Sequence, residues 1–247
     1  MKLLLNKFSP AYFALVMATG IISLAAHAQH LAWLAEGLFY VNLVAYPLLL
    51  GLLLLKLLLF PQACWATLTS HDKGATFLTL VAATSLLGSQ FVQLRDNQAA
   101  GTGLWIAALV FWLILNYSFV LGVSIKREKP NVEQGLNGSW LLLVVATESL
   151  AVLGAALLPG STLPPALGMV GLLGLFLLGS LLYVLLTGLI FYRLSFVGLG
   201  GEEVGAAYWI SVGASAITVL AGTSVATAMQ HTQALAVYIP SGNTMLQ

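Results

Sequence analysis

Seven stretches of this 247-residue chain are long and apolar: 9–26, 33–59, 75–93, 102–125, 137–157, 164–192 and 206–228. An α-helix needs about 20 such residues to cross the hydrocarbon core of a bilayer. A chain in that core must satisfy its own backbone hydrogen bonds, which leaves helices or a closed barrel. Barrel strands read as alternating segments of about 10 residues, and these runs do not alternate. The expectation is an all-α integral membrane protein. Composition agrees where it decides solubility. Only 7% of residues are charged, against about 25% in a soluble domain, which is too little polar surface to cover a globule in water. The domain division is a transmembrane domain over 1–229 and an extracytoplasmic tail or loop over 230–247.

Start signals fit these segments. Ser9-Pro10 offers a capping oxygen followed by a proline with no N–H to leave unpaired. Asn137 caps the fifth segment in the same way, and Pro164-Pro165 opens the sixth. Pro47 lies inside the second and is expected to kink it. Lys2, Lys7, an apolar run and Ala26-His27-Ala28 also resemble a signal peptide. The run is longer than a typical signal core, and Thr19, Gly20 and Ser23 make one side polar, so an uncleaved first span is the expectation.

Basic residues orient the chain. Lys2, Lys7, Lys56, Lys73, Lys126, Arg127, Lys129 and Arg193 fall on one side of the spans and Arg95 alone on the other. The basic side faces the cytoplasm, so the expectation is an inner-membrane protein with its N-terminus inside.

The spans also sort by parity. Ser, Thr, Asn, Gln and Glu number 21 in the 81 residues of the odd segments and 8 in the 80 of the even ones. Polar side chains in lipid turn toward protein or water. The expected architecture is therefore helical hairpins, with odd helices lining a central pore and apolar even helices outside. Ser211, Ser215, Thr218 and Gly222 share one face of the seventh helix. The third carries a dense hydroxyl and amide series, Thr76, Thr79, Thr84, Ser85, Ser89, Gln90 and Gln93. Such residues either line a water-filled route or glue helices together. The glycines of the odd helices, Gly20 among them, carry the same two readings.

Glu148 is the ionisable group furthest from either end of a span, between Thr147 and Ser149. Glu36 is its rival, close to the start of the second segment. Intramembrane carboxylates mark functional sites by default. Glu148 is read as a proton-coupling or gating carboxylate, or as a neutral acid hydrogen-bonded to a neighbouring helix. Enzyme readings fail. His27 and His30 have no further ligand cluster, no Gly-x-Ser-x-Gly elbow or phosphate loop is present, and the seventh helix lacks a lysine for a retinal-type chromophore. Neither a cofactor nor a nucleic-acid partner is expected. The lone Cys64 has no partner in the chain for a disulfide.

Three stretches, one in each of the first, fifth and seventh segments, carry a resemblance: Phe8-Ser9-Pro10-Ala11-Tyr12-Phe13 with Met17-Ala18-Thr19-Gly20-Ile21; Asn137-Gly138-Ser139-Trp140-Leu141-Leu142; and Tyr208-Trp209-Ile210-Ser211-Val212-Gly213-Ala214. They resemble the tellurite-resistance/dicarboxylate transporter family, which includes yeast malate and sulfite transporters and the plant slow anion channel. The resemblance implies ten helices in five hairpins, odd helices around a pore, and homotrimers with one pore per protomer. It implies transport of small anions (C4-dicarboxylate, sulfite or halide) as a channel or proton-linked carrier. Seven helices of that ten are expected here, the chain being C-terminally incomplete relative to the family. The family's pore-blocking phenylalanine lies in the ninth, so no residue here inherits that role.

The candidate pathway residues are Thr19, Gly20, Thr84, Ser85, Asn137, Thr147, Glu148, Ser211, Ser215 and Thr218. An ionised Glu148 on the lumen would repel an anion, so it must be neutral, paired, off the lumen or a proton carrier. No Lys or Arg falls inside an odd segment, so attraction is expected from helix N-termini and the basic rim. The competing reading is a seven-helix receptor or assembly protein, or a truncated fragment that does not transport.

Overall fold

The computed structural model describes residues 5–161, 164–197 and 206–231, and every regular element among them is helical. The seven long apolar helices are Pro10–Ala28, Ala32–Leu59, Gly74–Arg95, Gln98–Ile125, Gly138–Gly160, Pro165–Phe196 and Ala207–Gln230. They are called the first to seventh spans below. Two short helices, Pro61–Leu68 and Val132–Gly135, sit in the connections before the third and fifth spans. The second helix runs on past Pro47. Lys2 and the tail from residue 232 onward lie outside the described residues.

The odd spans share a local feature. Each opens on a 3-10 turn: Pro10–Phe13, Gly74–Leu78, Gly138–Leu141 and Ala206–Trp209. The second, fourth and sixth spans begin directly as α-helix. In two cases a side chain closes the turn. Ala11 N donates to Ser9 Oγ at 3.3 Å and Ser139 N donates to Asn137 Oδ1 at 2.9 Å. An acceptor two residues before its donor favours this tighter winding over an α-turn. The four turns lie in a row at the basic end of the molecule, each touching the next.

Packing follows parity. Consecutive spans pair as hairpins, first with second, third with fourth, fifth with sixth. The odd spans then pack on one another in order, first on third, third on fifth, fifth on seventh. Burial separates two classes. The third and fifth spans are 89% and 78% buried over their most apolar stretch, and every other span is below 30%. The third and fifth form the centre, while the first and seventh flank them in an arc. Between helices in lipid the drive is van der Waals fit and hydrogen bonding, since lipid tails are as apolar as leucine. The central spans supply both. Trp112 Nε1 of the fourth span donates to Thr147 Oγ1 of the fifth at 2.9 Å, and a hydrogen bond of 2.8 Å joins Tyr46 of the second to Thr84 of the third.

Candidate functional site

At the end of the bundle opposite the basic rim the concave side of the arc holds an open cavity of about 600 Å³. All of its lining comes from odd spans. The first contributes Ile21, Leu24, Ala25 and Ala28; the third Leu86 and Gln93; the fifth Val152, Ala155, Ala156 and Pro159; the seventh Leu220, Thr223, Ser224, Thr227 and Ala228. The walls are mostly apolar, and polarity is concentrated at Gln93 and the seventh-span hydroxyls. No Lys, Arg, Asp or Glu is among the lining residues.

A buried polar node flanks this cavity. Asn42 of the second span is fully buried. Its Nδ2 donates to Gln90 Oε1 of the third span at 2.9 Å and to Val16 O of the first at 3.1 Å. Its Oδ1 accepts a short hydrogen bond from Thr19 Oγ1. Gly20 lies against the node, where a Cβ would stand 3.1 Å from Asn42 Nδ2 and 3.4 Å from Leu86 Cβ. Leu86, Gln90 and Gln93 fall on one face of the third span by helical spacing. Gln90 Nε2 is buried and has no hydrogen-bond partner among the described residues.

Glu148 lies one turn toward the basic rim from Val152. It shares a helical face with Val152, Ala155 and Pro159, all of which line the cavity. Its carboxyl group turns to the sixth span and does not line the cavity. Ser180 Oγ donates to its Oε1 at 3.5 Å, and the chain at Gly179 is so close that a Cβ there would sit 2.5 Å from the carboxyl carbon. Glu148 is fully buried, and its Oε2 has no partner among the described residues.

The other expected pathway residues divide. Thr19 and Gly20 belong to the node. Thr84 and Thr147 face neighbouring helices through the bonds to Tyr46 and Trp112. Ser85 is buried, its Oγ unpaired among the described residues. Asn137 is at the opposite end of the molecule, where its Nδ2 donates to Asp72 O at 3.0 Å and ties the entry of the fifth span to the loop before the third. Ser211, Ser215 and Thr218 donate to carbonyls of their own helix at 2.7–2.9 Å and are not in the cavity wall. The wall of the seventh span is made by Thr223, Ser224 and Thr227. Gln93, in the wall, and Gln90, in the node, belong to the polar series of the third segment read as a possible route, whereas Asn42 was not singled out. Asn42 had a signal, as an amide in the middle of an otherwise apolar even span.

The basic rim is only partly free to attract an anion. Lys56 and Arg193 are 6% and 3% exposed. Lys56 Nζ donates to Phe8 O and Arg193 Nη2 to Glu133 O, both at 2.6 Å. Each therefore latches the end of an even span to the loop that enters the odd span of the same hairpin. At the other end Arg95 forms a two-pronged pair with Glu36, at 3.0 and 2.5 Å, and packs over Phe39 and Tyr40. Glu36 is thus bound in a structural pair.

The profile of the SLAC1 family, described as voltage-dependent anion channel, matches residues 7–245. Two relatives come from Methanocaldococcus jannaschii. Uncharacterized transporter MJ0576 is 25% identical over 168 residues, covering 64% of this chain and 47% of the relative. Uncharacterized transporter MJ0762 is 24% identical over 171 residues, covering 66% and 48%. The chain thus spans about half the length of these relatives. No solved structure matches it.

Proposed function

The chain belongs to the SLAC1 family of voltage-dependent anion channels, and on that premise we propose that it moves small anions across a membrane along the concave face of its odd spans. The observation that carries the reading is the cavity between the first, third, fifth and seventh spans, to which no even span contributes. A neutral, mostly apolar wall suits an ion that is held only briefly. The Gln93 amide supplies partial positive charge without a fixed cation that would trap the ion, and the hydroxyls of Thr223, Ser224 and Thr227 can turn to the ion only by leaving their own backbone carbonyls.

The substrate class is a C4-dicarboxylate, sulfite or halide, and the oligomer a homotrimer, as the resemblance implies. The basic end faces the cytoplasm of the cell (inner) membrane. Glu148 has a separate role. Its carboxyl turns to Gly179 and Ser180, so a passing anion does not meet it directly, yet it stands one turn from the cavity wall. We assign it the proton side of a coupled mechanism.

The test is anion flux into proteoliposomes holding the protein, comparing malate, sulfite and chloride with and without a pH gradient. Saturating flux that follows the gradient supports coupled transport. Absence of flux from well-inserted protein removes the transport reading for this chain.

A further inference from the structure

The outer face of the fourth span carries a groove that the pathway does not use. The short helix Pro61–Leu68 lies beside the basic end of the fourth span, and between them is a space of about 700 Å³. Trp65 and Thr69 line one side; Tyr117, Ser118 and Gly122 line the other, and Lys126 stands at its end. Gly122 makes room for this arrangement, since a Cβ there would lie 2.5 Å from Thr69 Cγ2.

The three hairpins differ at this point. Lys56 and Arg193 each stand three residues before the end of their helices, Leu59 and Phe196, and turn their charge inward to a carbonyl. In the fourth span the residue three before the end, Ile125, is Gly122. The cation comes one turn later at Lys126 and is exposed. Arg127 and Lys129 follow, with Glu128 between them. Among the described residues none of these three cations reaches a carboxylate, the ion pairs being Lys73–Asp72 and Arg95–Glu36. Their field is felt at His71, which is held below the ordinary histidine range first by partial burial and then by Lys126 and Lys129.

We propose that this groove seats an anionic phospholipid, one acyl chain along Gly122 and Ser118 and its phosphate at Lys126. Any bilayer lipid can cover an apolar face. The unpaired basic run at the groove's end selects a negative headgroup, each such cation adding attraction close to the surface. Trp65 and Tyr117, 58% and 61% exposed, are the amphipathic aromatics that settle at headgroup depth.

The experiment is native mass spectrometry of the purified protein released from mixed micelles holding phosphatidylglycerol and phosphatidylcholine with identical chains. The expected result is preferential retention of phosphatidylglycerol, falling about fivefold in Lys126→Gln. Ser118→Trp, which fills the groove and keeps the charges, is expected to lose the retained lipid. Brominated phosphatidylglycerol is expected to quench the parent protein more than Trp65→Phe, a readout independent of folding in the other variants. Equal retention of the two lipids overturns the proposal. So does displacement of the lipid by millimolar inorganic phosphate, which would make the site a free-anion site. Disulfide cross-linking between two copies carrying Ile114→Cys would show that a second chain covers the groove, and would overturn it as well.

Discussion

Asn42 of the apolar second span donates to Gln90 of the polar third span at 2.9 Å, and both side chains are fully buried. With Thr19 and Val16 this one amide joins the first three spans. In hydrocarbon no water competes for these groups, so a lone amide there is retained only where it finds partners. Asn42→Leu is expected to cost about 1 kcal/mol, in the range of interhelical hydrogen bonds in membranes, and to loosen the first hairpin from the third span. Unfolding of purified variant and parent in mild detergent, titrated with a denaturing detergent, measures it. Equal stability would show that the node carries no weight.

Glu148→Gln keeps the volume and the Ser180 contact while removing the titrating proton. If Glu148 handles the proton of a coupled cycle, flux that varies with pH in the parent protein becomes flat in the variant while protein remains in the membrane. A transporting variant with the parent's pH profile would take Glu148 out of the mechanism and leave it a helix-packing residue.

Gly179 tests the packing around that carboxyl independently of transport. Gly179→Ala places a methyl where the Glu148 side chain already lies. Overpacking of this kind costs about 1–3 kcal/mol. Trimming Glu148→Ala in the same chain is expected to restore most of the loss that Gly179→Ala causes. The double-mutant cycle on unfolding free energy is the measurement, and additivity of the two changes would refute the contact.

His71 gives a pH prediction outside the membrane. Burial first, then Lys126 and Lys129, lower its affinity for a proton in the folded protein, while Asp72 opposes them. The unfolded chain therefore binds the proton more readily, and stability is lost as pH falls below about 6.5, the ordinary histidine value. The effect is small because His71 is partly exposed and screened. Thermal unfolding between neutral and mildly acidic pH should show a steeper acid loss in the parent than in His71→Gln, and identical profiles would contradict the assignment.

The spans were legible because about 20 apolar residues leave a chain little choice but to cross. Parity was legible too, since hydroxyls and amides gather where lipid is absent. Facing was harder to read. A serine or threonine in a helix satisfies its own hydroxyl on the carbonyl three or four residues back, as Ser211, Ser215, Thr218, Thr223, Ser224 and Thr227 all do. Its presence therefore does not say which side of the helix meets a cavity. Glu148 stood out by charge, but only its contacts with Gly179 and Ser180 of another span show where its carboxyl turns. The inward turn of Lys56 and Arg193 was hidden for a related reason. A charge count assigns a cation to one side of the membrane and is silent on whether a carbonyl has captured it.

The seventh span lets the cavity be tested against the sequence reading within one helix. Thr223 and Thr227 are in the wall; Ser211 and Ser215 are not. All four donate to their own backbone, so replacing any of them removes a similar local bond. They differ in position along the proposed path. Thr227→Leu narrows the cavity at the end away from the basic rim and removes a polar group from its wall, so a severalfold loss of anion flux is expected with protein level unchanged. Ser215→Leu adds comparable bulk to the same helix outside the wall, and near-parental flux is expected. Paired flux measurements in proteoliposomes, normalised to inserted protein, decide between the two faces. Loss of flux in Ser215→Leu with retention in Thr227→Leu would move the pathway to the face that carries Ser211, Ser215 and Thr218.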